Sequence, residues 1–186
     1  MNEIRKIRAD LNLNTDEWID LDDDLIELSF IPRQANNNKY MSLINRINSK
    51  YGQKDHELLE FLGDTVLEMI ITSILYDEYI INNNGKYTNV NESLLTNYRI
   101  QLVKNTTLYC HMKRKNLCSY VKTNQRSIKI KQCADSLEAI VGVLYYHLHY
   151  IKKDPTALGP LPPPSGPQGP TSESSSSSKS ASHARS

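Results

Sequence analysis

The sequence predicts an all-α protein. Three observations carry that expectation. Apolar residues recur at three- and four-residue spacing through most of the chain, no segment sustains strict apolar/polar alternation, and the periodic runs end at Pro, Gly or Asn. In chain order, Leu25, Ile26, Leu28 and Ile31 give a short apolar face that ends at Pro32. After the Asn36–Asn38 loop, Tyr40, Leu43, Ile44 and Ile47 repeat at helical spacing and stop before Gly52. A long periodic run extends from about Asp55 to Ile81 and is closed by Asn82, Asn83, Asn84 and Gly85, a strong stop signal. Further runs cover about Val90 to Val103, Thr106 to Asn116, and Ser127 to Tyr150. No internal repeat is present.

At 186 residues, with 39% apolar and 23% charged residues, the chain has the size and composition of one soluble globular domain. No stretch approaches the roughly 18 apolar residues of a membrane span. The start, MNEIRKIRAD, has no apolar core and does not read as a secretory signal. The three cysteines, Cys110, Cys118 and Cys133, form no CxxC pair, and their odd count suits reduced thiols rather than a disulfide framework. A zinc site with His111 would need a spacing that matches no usual ligand pattern. These features point to a cytoplasmic protein with no membrane association, with the nucleus also open.

Composition breaks near Asp154. The last residues, DPTALGPLPPPSGPQGPTSESSSSSKSASHARS, contain no Asn, Ile or Tyr, although those types are abundant before them. Such a Pro/Gly/Ser-rich tail buries too little apolar area to offset its ordering entropy, and it reads as foreign to the domain it follows. The expected organisation is therefore an N-terminal segment at 1–19, a helical domain at 20–153 and a disordered tail at 154–186.

The net charge of +1 conceals segregation. Acids dominate the first 27 residues, with Asp20, Asp22, Asp23 and Asp24 close together. Between Ser93 and Ala134 there is no acid, while Arg99, Lys104, Lys113, Arg114, Lys115, Lys122, Arg126, Lys129 and Lys131 all fall there. A one-signed stretch of that length focuses a field on one part of the surface. Charge alone fits a solvated helix face and a phosphate-contacting surface equally well.

Two helical segments carry acids that invite a chemical reading. In HELLEFLGDTVL, Glu57, Glu60 and Asp64 lie at i, i+3 and i+7, on one stripe. Gly63 costs about 1 kcal/mol relative to Ala inside a helix, so close packing against a neighbour is expected there. In KIKQCADSLEAIVG, Asp135 and Glu138 form another i, i+3 pair among Ala134, Leu137, Ala139, Ile140 and Val141. Carboxylates in a largely buried helix are costly unless neutralised. Acids that meet suppress one another's ionisation unless a divalent cation compensates, and an all-oxygen set suits Mg²⁺ or Mn²⁺ rather than zinc. From the acids alone, two solvent-facing pairs that never meet are an equal alternative.

The words around the acids add a resemblance. HELLEFLGDTVLEMIITSILY resembles the ribonuclease III signature, NERLEFLGDxxL followed by an apolar helix. KQCADSLEAIVGVLYYHL resembles the second block of that family, and ESLLTNYRIQLVKN the LSxLRxxLVxN segment between them. The matches keep the family's order and cover most of residues 20–150. The departures are Leu58 for the signature arginine, His56 for its asparagine, and Ile31-Pro32-Arg33-Gln34 where the family has THxS. They touch packing and subunit contact more than chemistry. His56 reads either as an RNA contact or as an ordinary helix-start residue.

The resemblance implies a ribonuclease III-type helical endonuclease domain that hydrolyses double-stranded RNA to 5′-phosphate and 3′-hydroxyl ends. It implies Glu60, Asp64, Asp135 and Glu138 as catalytic, metal-holding acids, with Mg²⁺ or alternatively Mn²⁺ as cofactor. Glu57, Phe61 and Gly63 match positions with structural or dimer-contact roles, and a homodimer with one cutting site per strand follows. Clustered carboxylates that anchor one or two divalent ions can activate water and relieve charge on phosphoryl and leaving oxygens. RNA contact is expected from Arg99, Lys104, Lys113, Arg114, Lys115, Lys122 and Lys131 along an A-form backbone. For Lys131 a salt-bridged or solvated lysine is the favoured alternative. The competing expectation is a non-catalytic ribonuclease III-fold component of a ribonucleoprotein, against which the intact acids speak.

Overall fold

The computed structural model describes residues 3–33, 35 and 37–152. Helices α1 (Glu3–Asp10), α2 (Asp23–Leu28), α3 (Asn37–Tyr51), α4 (His56–Tyr76), α5 (Glu92–Val103), α6 (Asn105–Arg114) and α7 (Ile130–Tyr146) follow in order. Single 3-10 turns lie at Asp16–Trp18 and Leu117–Tyr120, and α4 and α7 run on into π-helical turns at Asp77–Ile81 and His147–Ile151. No strand occurs among the described residues, and the fold is all-α as the periodicity predicts. The predicted tail, 154–186, lies outside the described residues.

Local chemistry sets the helix ends. The Asp22, Asp55 and Asn91 side chains accept from the backbone N–H groups of Asp24, Leu58 and Leu94, which caps α2, α4 and α5. After α4 the chain reverses through Asn84 and Gly85, whose φ values of 43° and 77° fall in the left-handed region that Asn and Gly tolerate best. Helix α1 is too short and too charged for its periodicity to stand out, with Ile4 and Ile7 alone on its apolar side. Its place is fixed by Arg8, a buried guanidinium that donates to the Leu13, Trp18 and Leu21 carbonyls and to Asp23 Oδ1 at 2.9 Å. Those bonds satisfy a buried charge that would otherwise be costly.

The core gathers Leu25, Ile26, Leu28, Phe30 and Ile31 from α2 and the turn after it. Leu43 and Ile47 of α3, Leu59 of α4, Met112 of α6, and Ala139, Ile140 and Val143 of α7 pack with them. Each of these side chains larger than alanine contributes about 1.5–3 kcal/mol by leaving water. Helix α7 is the central element: residues 132–136 and 138–140 are all buried. Helix α4 is buried only along His56, Leu59, Gly63, Val66 and Leu75, and α5 has no fully buried residue. The outer faces of these two helices expose Leu58, Phe61, Met69, Ile70, Ile74, Ile100 and Leu102.

The cysteines depart from expectation. Cys118, in the 3-10 turn after α6, and Cys133, in the first turn of α7, are disulfide-bonded with Cα atoms 5.5 Å apart, and Cys110 alone is a free, exposed thiol. A separation of 15 residues is no pattern in itself. The fold brings the turn after α6 onto the start of α7, and that contact is invisible in the spacing.

Candidate active site

The site exists because two glycines let two helices touch. On α4, a Cβ at Gly63 would stand 1.7 Å from the Glu138 carbonyl oxygen; on α7, a Cβ at Gly142 would stand 2.0 Å from the Leu59 carbonyl oxygen. No other residue fits at either position, so the backbones cross in direct contact. The close packing expected at Gly63 is present, and its partner, Gly142, bears the same mid-helix cost within the run from Ser127 to Tyr150.

That crossing carries the acids of both helices to one place. Ligand oxygens of Glu60, Asp135 and Glu138 all lie within 4.8 Å of one another. Asp135 and Glu138 are buried, at 8% and 7% exposure, and Glu60 is half-buried. Asp64, one turn further along α4, is exposed and stands outside this group of three, although its charge acts on Glu138 more strongly than that of any other residue. Glu57 faces elsewhere and accepts the Arg33 backbone N–H at 3.1 Å, tying the segment after α2 to the start of α4.

The crowding has an electrostatic signature. Burial and then the neighbouring charges of Asp64, Asp135 and Glu60 push the Glu138 carboxyl up to about 8. Burial and Asp135 also raise Glu60. Lys131 is the one cation reaching in among the described residues: its Nζ lies 2.7 Å from Asp135 Oδ1 and 3.5 Å from Glu60 Oε1, and these carboxylates raise its own pKa. One ammonium cannot balance the charges of Glu60, Asp135 and Glu138 together. The donor set, three oxygens from buried or half-buried carboxylates with a fourth acid at the rim, fits a hard divalent cation.

Other site candidates take varied places. His56 is buried at the first turn of α4, as the helix-start reading has it, and burial lowers its imidazole to about 4. Its Nδ1 sits 3.7 Å from Glu60 Oε2, a proximity that i, i+4 spacing on one helix implies. Phe61 is 75% exposed on the outer face of α4. Lys104, Lys113, Arg114 and Lys115 are exposed on or beside α6. Lys122 pairs with Glu3, and Arg99 lines an apolar pocket between α4 and α5 with its Nε buried and unbonded. The cations expected to contact RNA are thus divided between an outward-facing set on or beside α6 and Arg99, Lys122 and Lys131, which are engaged within the fold.

Comparisons with known proteins agree with this architecture. The nuclease domain of ribonuclease III from Campylobacter jejuni superimposes with a TM-score of 0.55 over 81% of this chain and 86% of that one, at 21% identity, which speaks to the fold. Ribonuclease 3 of Clostridium beijerinckii is 36% identical over 96 residues, 48% of this chain and 38% of the relative. Ribonuclease 3 of Vibrio vulnificus is 29% identical over 130 residues, 67% of this chain and 47% of the relative. The chain thus spans less than half the length of these relatives. The model of the ribonuclease III domain matches residues 57–149, a span that opens on Glu57 and encloses both acid pairs and both contact glycines. By that match, this chain belongs to the ribonuclease III domain family.

Proposed function

We propose that the chain is an endoribonuclease that hydrolyses double-stranded RNA with a divalent cation, leaving 5′-phosphate and 3′-hydroxyl ends, and that it works as a homodimer. Family membership supports the endoribonuclease. The observation that carries the metal dependence is the meeting of Glu60, Asp135 and Glu138, with Glu138 pushed up to about 8 by burial and then by the neighbouring acids. Glu60, Asp135 and Glu138 would hold Mg²⁺, or Mn²⁺ in its place, and Asp64 would reach it from the rim. Bound there, the cation would supply an activated water and charge relief on the phosphoryl oxygens.

The chain's own groups complete the reading. Lys131, already beside two of the acids, can turn its ammonium toward a substrate phosphate once a cation takes over their charge. Lys104, Lys113, Arg114 and Lys115 offer exposed charge for a regular phosphate backbone. The apolar outer face of α4, led by Phe61, fits a second copy of the chain better than solvent. Incubation of a long RNA duplex with Mg²⁺ tests the proposal. Wild-type protein should cut the duplex and spare a single strand, and Glu138→Gln should lower the rate by at least about 10³-fold. Equal behaviour of the two proteins would favour the non-catalytic ribonucleoprotein role.

A further inference from the structure

The disulfide between Cys118 and Cys133 joins two parts of the molecule with different duties. Cys118 belongs to the turn Leu117–Tyr120, which is anchored toward the N-terminal elements. The Tyr120 hydroxyl donates to Asp10 Oδ2 at 2.6 Å, the Lys122 backbone N–H donates to the Phe30 carbonyl at 2.8 Å, and Lys122 Nζ pairs with Glu3. Cys133 lies in the first turn of α7, two residues before Asp135 and five before Glu138. Between the two cysteines runs an acid-free segment that carries Lys122, Arg126, Lys129 and Lys131 and forms no regular element between the turn and α7. Its far end is α7 itself, where the site acids sit.

We propose that Cys118 and Cys133 form a redox couple that sets how firmly the basic segment 121–129 and the first turn of α7 are held. The Cα separation of 5.5 Å lies within the ordinary disulfide range, so either state forms without backbone rearrangement. Exposure assigns the order of events, since Cys133 is fully buried and Cys118 is half-buried. In oxidation by a low-molecular-weight disulfide, the Cys118 thiolate attacks one sulfur of that disulfide and expels one small thiolate, which takes up a proton. The Cys133 thiolate then attacks Cys118 Sγ and expels the second small thiol. Two cysteine thiols are thereby oxidised by two electrons, and one external disulfide is reduced to two thiols. A small thiol reverses the sequence by entering at Cys118. Closed, the bridge pins both ends of the segment and lowers its conformational freedom, so the cations it carries are presented with less ordering left to do on binding. The RNA consequence rests on the nuclease reading, whereas the couple itself does not.

The test uses the full chain carrying Cys110→Ser, which removes the exposed thiol outside the pair. After equilibration with oxidised or reduced glutathione, intact mass and thiol alkylation report the bridge. Amide exchange across 121–135 and binding of a short RNA duplex without divalent ion report its effect. The expected result is a single-chain mass lighter by two hydrogens in the oxidised sample, with exchange slowed by at least about tenfold and duplex affinity raised by about three- to tenfold. The double variant Cys118→Ala/Cys133→Ala should show no response to either glutathione form. Stable glutathione adducts at Cys118 with no internal bridge would overturn the proposal, as would a bridge that leaves exchange unchanged. If neither state binds RNA while exchange still differs, the couple stands and the nuclease reading falls.

Discussion

Glu138 concentrates the physical chemistry of the site in one carboxyl. Its proton leaves at about 8 in the folded chain against 4.5 for an ordinary glutamate, because burial and three neighbouring acids oppose the charge. A group whose folded pKa is raised contributes its full stabilisation below the unfolded value and loses it as pH rises through the folded one. The metal-free protein should therefore lose on the order of 1–3 kcal/mol from this residue between pH 4.5 and about 8. Urea unfolding across that window checks the sign, and Glu138→Gln should lack this part of the decline. Because cation and proton compete for the same oxygens, Mg²⁺ should raise the unfolding midpoint more at pH 8 than at pH 6. Equal Mg²⁺ effects at both pH values would argue against ligation by Glu138.

At the scale of elements, the contact of α4 with α7 matters most. Glycine inside a helix costs about 1 kcal/mol relative to alanine, so replacing Gly63 or Gly142 by alanine would by propensity alone stabilise the chain. The clash wins, since a methyl at either place would fall within 2.0 Å of a backbone carbonyl oxygen that cannot rotate away. Gly63→Ala and Gly142→Ala should each destabilise by about 1–3 kcal/mol or more. The variant that still folds should lose metal-induced stabilisation, because forcing the helices apart separates Glu60 from Asp135 and Glu138. Calorimetry with and without Mn²⁺ reads both effects. Both glycines are marked in the sequence by their cost inside a strongly periodic helix, and only the crossing shows that the two meet each other.

Across the whole molecule, two surfaces among the described residues point to partners outside the fold. The apolar outer face of α4 predicts self-association, and Phe61→Asp should shift the protein toward monomer in sedimentation equilibrium while leaving the helical circular dichroism intact. The cations on α6 predict backbone binding that weakens steeply with salt. Duplex affinity should fall about tenfold or more between 50 and 200 mM salt, and Lys113→Ala/Arg114→Ala should flatten that slope. A salt-independent affinity would move the RNA surface elsewhere.

The sequence by itself determined the helical class, the span of the long helices, and which acids those helices carry. These are local properties, written in periodicity, capping residues and stop signals such as Asn84-Gly85. Only the tertiary structure decided that Glu60 meets Asp135 and Glu138 while Asp64 stays at the rim, that His56 is buried, and that Cys118 finds Cys133. Those outcomes depend on where two helices approach to backbone contact and which turn faces which. That is a matter of non-local packing, and no spacing along one chain segment encodes it.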